Sequence, residues 1–227
     1  MRWFNRYFMI VLICAMGIGC AVGNDDMNDS ISLPDPALEG ALSVEQAIQQ
    51  RRSVRTFADK TVSLDAVSQL LWSAQGITDS RRGLRAAPSA GATYPLELLL
   101  VVGDVENLDA GVYRYQVDEH ALAPIVAGDV RGDLARASLG QAFIGQAPIS
   151  VVLTGIQGRT AGRYGDRAAR YVAMEAGHAA QNIYLQAVAL ELGTVVVGAF
   201  RDEQLAELFS LDSTEMPLYI MPVGHPE

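Results

Sequence analysis

Arg51-Arg52-Ser53-Val54-Arg55-Thr56-Phe57 sets three guanidiniums and a hydroxyl within five residues, just where a helix should end. The 227-residue chain around it is half hydrophobic and has a formal net charge of −9. An anion to be held is one explanation for cations gathered so tightly in an acidic, apolar chain. Arg forks meet phosphate oxygens in pairs, and Ser adds a further donor. The other explanation is a solvated cationic helix end, favoured by the helix macrodipole. Both are open on these seven residues alone.

Just upstream, Ser43-Val44-Glu45-Gln46 has Ser at an N-cap position and Gln three residues later. This is a capping box, and it predicts a helix running to about Arg52. A second helix is expected from Ser63, with Val67, Leu70, Leu71 and Ala74 on one face and Gly76 as its stop. A polar, Arg-rich loop follows over residues 78–92. Exposed arginines there (Arg81, Arg82, Arg85) either favour an anionic substrate or have no role.

Strand signals follow. Leu96–Val102 and Ile149–Ile156 are continuous apolar runs, as expected of strands buried on both faces. Residues 111–117 alternate and predict a half-exposed strand, pairing as a hairpin with residues 121–126. Residues 166–192 predict one long helix of about 40 Å at 1.5 Å per residue. Its middle holds Ala173, Ala176, Gly177, Ala179 and Ala180, small enough for another helix to come close. Residues 194–200 predict a third buried strand, 202–209 a short helix and 218–223 a last strand. The class is α+β, a central sheet with flanking helices.

The N-terminus reads separately. Arg2 and Arg6 flank the start of an apolar run over residues 7–19, too short to cross a bilayer as an ordinary helix. It ends Met16-Gly17-Ile18-Gly19-Cys20, similar to a bacterial lipobox, with Gly17 where that pattern prefers Leu. The expectation is a lipoprotein-type signal peptide over residues 1–19, lipid attachment at Cys20, and a membrane-anchored protein of the bacterial cell envelope facing periplasm or exterior. An ordinary cleaved signal or an uncleaved anchor is the alternative. Residues 20–40, with Asn, Asp, Ser, Pro34 and Pro36, suit a flexible tether. That leaves 41–227 as the folded domain. Cys14 and Cys20 are the only cysteines, so a chain starting at Cys20 has no thiol for a disulfide, a metal or nucleophilic catalysis. His120, His178 and His225 show no metal spacing, and no metal is expected. His178 reads as an interior histidine. The acidic balance argues against a nucleic-acid partner.

Four segments together resemble the flavin-dependent nitroreductase family. They are the arginine stretch, Ala87-Pro88-Ser89-Ala90-Gly91-Ala92-Thr93-Tyr94-Pro95-Leu96-Glu97, Glu175-Ala176-Gly177-His178-Ala179-Ala180-Gln181-Asn182, and Leu192-Gly193-Thr194-Val195-Val196-Val197-Gly198-Ala199-Phe200. Gly111-Val112-Tyr113-Arg114-Tyr115 and Gly177-His178 are further similar to the branch that includes azoline dehydrogenases, which oxidise thiazolines and oxazolines in peptides.

The resemblance implies a nitroreductase-like fold with a central mixed sheet, a long interface helix, and a homodimer with one FMN at each end of the interface. It implies an FMN-dependent oxidoreductase that passes hydride through flavin N5 to or from a small organic substrate. A transient NAD(P)H or a quinone is the electron partner, and export favours the quinone. By the same resemblance, Arg51 and Ser53 meet the phosphate and ribityl end, with Arg52 near. Arg55 stands at the pyrimidine edge, where a fixed cation stabilises the charge of reduction. Pro88, Ser89, Ala90 and Gly91 form a low-bulk loop that either reaches the ring or is an ordinary turn. The backbone N–H groups of Val197 and Gly198 face the ring. Gln181 and Asn182 order the cofactor or satisfy backbone groups. Arg163-Tyr164 falls where azoline dehydrogenases carry Lys-Tyr. Arginine stays protonated in proteins and makes a poor base, which weakens that branch's chemistry and leaves Tyr164 as the acid or donor. A membrane-tethered flavin-binding module without turnover is the alternative to an enzyme.

Overall fold

The computed structural model describes residues 30–227. The expected signal peptide and Cys20 therefore lie outside the described residues. Nine strands are present among them: β1 (Ile31–Ser32), β2 (Ile77–Asp79), β3 (Leu84–Arg85), β4 (Leu96–Val102), β5 (Gly111–Gln116), β6 (Ala121–Ala127), β7 (Ile149–Ile156), β8 (Gly193–Thr194) and β9 (Glu215–Gly224). Seven make one sheet in the order β1-β6-β5-β4-β7-β9-β8, and β2 with β3 makes a separate hairpin.

Every pairing of named strands is antiparallel, which corrects the expected mixed sheet. A crossover does run from β7 to β8, but β9 is inserted between them and is antiparallel to both. Parallel contacts survive only as single bridges, among them Ser53 with Thr194.

The helices are α1 (Val44–Gln50), α2 (Leu64–Gln75), α3 (Arg131–Ala137), α4 (Ala142–Gln146), α5 (Gln157–Tyr164), α6 (Ala168–Ala189) and α7 (Asp202–Leu208). Each face of the sheet has its own apolar cluster. Leu98, Leu100 and Val102 of β4 pack with Val67, Leu70 and Leu71 of α2 and with Val172, Ala176 and Ile183 of α6. Leu99 and Val101 of the same strand pack with Leu134 of α3, Ile144 of α4 and Leu205 of α7. Alternate residues thus enter opposite cores, which is why β4 reads as an unbroken apolar run.

The capping box forms as expected. The Ser43 hydroxyl accepts the Gln46 N–H at 3.2 Å, and the Gln46 side chain accepts the Ser43 N–H at 2.8 Å. The helix stops at Gln50 because Arg51 turns to φ −53°, ψ 126°. Ser63 caps α2 through the Ala66 N–H, and Gly76 ends it.

Four local expectations are revised. Strand β5 is not half-exposed: Val112, Tyr113 and Tyr115 are all buried. Its Arg114 is half-buried as well, because it meets both oxygens of Glu215 at 3.0 Å. The long helix forms as one, trimmed to the 22 residues of α6, and a separate α5 that the sequence did not signal precedes it across a 3-10 turn started by Gly165 at φ +53°. The strand over 194–200 reduces to β8 and one bridge from Val197 to Ile220, because Gly198 and Ala199 leave the sheet for solvent. The tether does not extend to residue 40. Ile31 and Ser32 pair with β6, the Leu33 N–H reaches the His120 carbonyl at 3.0 Å, and the Gln69 amide holds both backbone groups of Ala37. Leu33, 7% exposed, gives this strap its apolar purchase, so residues 31–37 belong to the folded domain.

Candidate functional site

The arginine stretch is extended and lies beside β8: Ser53 bridges Thr194, and the Val54 N–H reaches the Thr194 carbonyl at 3.0 Å. Its three guanidiniums go three ways. Arg51 stands 5.0 Å over the Tyr184 ring of α6. Arg52 turns back onto the carbonyls of Gln49 and Arg51 and so serves the end of α1. Arg55 lies 6.0 Å over the Phe143 ring. The helix-end explanation is thus realised on Arg52 alone, while Arg51 and Arg55 are turned to aromatic rings. Among the described residues none of the three meets a carboxylate.

Tyr184 organises this corner. Its oxygen accepts the Val196 N–H at 2.8 Å and lies 3.2 Å from the Ser53 hydroxyl. With the Tyr184 O–H donating to Ser53, the Ser53 hydrogen is left free to donate outward. The Val197 N–H is spent on the Ile220 carbonyl at 2.8 Å. Of the expected pair of backbone donors, Gly198 is the one that is exposed and without a hydrogen bond among the described residues. Tyr184 was not singled out from the sequence, since one tyrosine on a helix carries no pattern.

A second group forms around residues 88–94. Gly91, Ala92 and Tyr94 all have positive φ (63°, 52° and 43°). Ala and Tyr in that region hold local strain of about 1–2 kcal/mol each, tolerated only where the surroundings enforce it. Helix α5 supplies the enforcement. Arg159 donates to the Tyr94 carbonyl at 3.1 Å and Arg163 to the Gly91 carbonyl at 3.2 Å, while the Thr160 and Thr93 hydroxyls meet at 2.9 Å. Ser89 accepts the Tyr94 N–H at 2.9 Å. A Cβ on Gly91 would sit 2.8 Å from both the Arg163 Cδ and the Tyr164 hydroxyl. Pro88, Ser89, Ala90 and Gly91 are thus brought together with Arg163 and Tyr164. Tyr164 itself packs edge-on against Tyr171, with ring centroids 4.9 Å apart.

Below this loop, Asn182 donates to the Ser73 carbonyl at 2.9 Å, so its amide satisfies backbone. Gln181 and His178 are exposed on α6, which corrects the interior placing of His178. In the hairpin, Arg82 pairs with Asp79 at 2.7 Å, whereas Arg85 turns inward, 4.6 Å over the Tyr94 ring, and donates at 3.3 Å to the side-chain amide oxygen of Gln75. Glu175 is 1% exposed, and neither of its oxygens has a hydrogen-bond partner. Burial pushes its carboxyl above the ordinary glutamate range, against the pull of the Ser89 hydroxyl, the Arg85 guanidinium and the Ala90 N–H. The sequence does contain its signal: a lone carboxylate in register with the buried Val172, Ala179 and Ile183. Among the described residues no His, Cys, Asp or Glu group could hold a metal, and no helix is long and apolar enough to cross a membrane.

The two groups hang on different faces of α6. Glu175 and Tyr184 are nine residues apart, so at about 100° per residue they project in nearly opposite directions and are offset by roughly 14 Å along the axis. The surface between them is the exposed stripe of Ala173, Met174, Gly177, His178 and Gln181.

Residues 48–225 match the Nitroreductase family. This chain belongs to the nitroreductase family. It is 43% identical over 198 residues to a protein named as a nitroreductase, MJ1384 of Methanocaldococcus jannaschii, spanning 87% of this chain and 98% of that one. It is 30% identical over 175 residues to the microcin B17-processing protein McbC of Escherichia coli, spanning 74% of this chain and 64% of McbC, just under two thirds of its length. A crystal structure from Ralstonia eutropha, also named as a nitroreductase, superposes with a TM-score of 0.78 at 31% identity, over 91% of this chain and 93% of the other. The family and its α+β fold are thereby established, and McbC is a relative from the expected branch. The chain is a nitroreductase-family oxidoreductase.

Proposed function

We propose that this protein is an FMN-dependent, homodimeric oxidoreductase whose flavin site is shared between two copies. The observation that carries this reading is the separation across α6. The Arg51 guanidinium, free of any carboxylate, and the exposed Ser53 hydroxyl lie on one face with the open Gly198 N–H; the strained loop lies on the other. A cofactor touching both groups is reached most simply from two copies packed along the exposed stripe of α6 between them; of the expected small residues only Ala173 and Gly177 lie on it, since Ala176, Ala179 and Ala180 are buried within the subunit.

The residues fit a phosphate-ended, flat-ringed ligand. Arg51 and Ser53 offer a charged fork and a neutral donor beside each other. Arg52 adds long-range charge while remaining on α1. Gly198 presents backbone with space around it, since a Cβ there would make only ordinary contact, 3.7 Å from the Tyr219 ring. When bound, FMN would supply the hydride-accepting ring atom. Around it, the Gly198 N–H would orient the ring edge and the Arg55 guanidinium would hold the negative charge of reduction. Pro88, Ser89, Ala90 and Gly91 of the second copy would close the ring's other side, with Gln181 at the seam. Val197 would act through its place in the wall, not its N–H. Tyr164 would hold a proton or a hydrogen bond for the substrate.

The deciding experiment is the absorbance spectrum of the purified protein, followed by denaturation to release and identify the chromophore. A yellow protein releasing FMN, with a mass in solution of two chains, is expected. A colourless monomer that ignores added FMN overturns the reading.

A second reading is favoured by the McbC relative: oxidation of azoline rings in a modified peptide. Arg163 opposes it, because it is engaged with the Gly91 carbonyl and is not a base. Exchanging Arg163 for Lys and assaying azoline oxidation tests it; azole formation by the natural chain would restore it. A flavin-binding module without turnover is distinguished by whether bound flavin bleaches with any donor.

For the cell, we propose lipid attachment at Cys20 and an envelope location, motivated by the lipobox-like stretch. A quinol would then replace NAD(P)H as electron donor. Labelled palmitate incorporated by the natural chain and not by a Cys20→Ala variant supports this. Fast flavin reduction by micromolar NADH counts against the quinol.

A further inference from the structure

Glu175 is a carboxyl in the apolar stripe of α6, 1% exposed, with both oxygens unpartnered. A group left in that condition costs stability unless something is gained for it. It stands apart from the ion-pair network in which Glu97 and Glu215 are each paired to Arg114, and Glu97 also to Arg159. The donors near enough to favour its ionised form are the Ser89 hydroxyl and the Ala90 N–H of the loop, neither of which makes a hydrogen bond to it in this structure. Ser89 already accepts the Tyr94 N–H, so its own hydrogen is available to a carboxylate beneath it.

We propose that Glu175 is a positioning residue that draws the strained loop of residues 89–94 down onto α6 when it is ionised. The carboxylate accepts from Ser89 and Ala90, setting the height of the Gly91 backbone. The loop is thus held from above by α5 and from below by α6. The charged group acting on Glu175 is Arg85 from β3, which favours its ionised form; Arg85 in turn meets the Gln75 side chain of α2, stands over the Tyr94 ring and acts on Tyr115 of β5. Arg163 and Tyr164 of α5 lie against Gly91 of the loop, and Tyr171 and His178 are the titratable residues one turn either side on α6. This inference concerns the chain itself; only its consequence for flavin binding rests on the function proposed above.

The sign follows from linkage. The folded state raises the carboxyl above its unfolded value, so Glu175 carries no ionisation cost below its unfolded titration. It becomes a growing burden on global stability as pH rises to its folded titration, and stays so above it. The two donors favour ionisation, so ionisation in turn favours the seated loop. Global stability and loop order therefore move in opposite directions with pH.

The test is hydrogen exchange without ligand at pH 5 and pH 8 on the full chain and on E175Q, with E175D as the variant that keeps a carboxyl. Protection factors over residues 90–94 are expected to rise at least threefold from pH 5 to pH 8 in the natural chain and to stay flat in E175Q. E175D should keep a reduced rise. At pH 8, E175Q should melt at or above the natural temperature. A flat profile in the natural chain, or an E175Q that melts lower at pH 8 with its loop protection unchanged, overturns the proposal. FMN affinity measured in parallel separates the readings: failure of all three proteins to bind FMN sinks the cofactor and leaves the anchor standing.

Discussion

At the scale of single residues, the three arginines of the opening stretch separate by partner. Arg51, over Tyr184 and beside the exposed Ser53 hydroxyl, is expected to contact phosphate. Losing one charged fork costs about 1.5–3 kcal/mol of binding, so Arg51→Ala should weaken FMN binding by tenfold or more in a fluorescence titration. Arg52→Ala should stay within about twofold, because Arg52 is turned to the carbonyls of α1 and its contact with the ligand is only long-range charge. Gly91 is constrained twice, by φ +63° and by the 2.8 Å a Cβ would have to Arg163 and Tyr164. Gly91→Ala should destabilise by about 1–3 kcal/mol in urea unfolding.

At the scale of elements, much of what was legible was carried by local chemistry. The Ser43 and Ser63 caps, the Gly76 stop and the unbroken run of β4 each fixed an element from a few neighbouring residues. The errors came where distant contacts decide. Alternation in β5 suggested an exposed face, but Arg114 is covered because Glu215, 101 residues away, neutralises it. Residues 194–200 look like a strand, yet β9 offers them only one further bridge at Val197. Helix α5 was hidden by its Gly and Arg content, and the strap over 31–37 by its prolines. In the site, the Arg51 stretch and the Gly91 loop were visible as patterns, whereas Tyr184 and the strain at Ala92 and Tyr94 exist only through tertiary packing. Strand β8 holds the arginine stretch through a tight approach: a Cβ on Gly193 would lie 2.7–2.8 Å from three side-chain carbons of Val54. Gly193→Ala should therefore destabilise by about 1–3 kcal/mol and weaken FMN binding together, measured by urea unfolding and flavin titration on one preparation.

At the scale of the molecule, the exposed stripe of α6 relates the two halves of the site. Met174 is 54% exposed, and Gly177 has nothing within 4 Å of where a Cβ would stand. Gly177→Arg should leave the monomer folded, since the position is open, but halve the mass seen by light scattering and abolish flavin retention at the same step. A dimer that persists with this substitution would place the seam elsewhere. The strap has a geometric corollary. It joins the domain at β1, the outermost strand, while Ser53 leans on β8 at the opposite border. Six strand spacings of about 4.8 Å put some 29 Å between them. Whatever leads into Ile31 thus enters on the far flank from the arginines, so coupling the upstream end to a bead or an electrode should leave that mouth unobstructed.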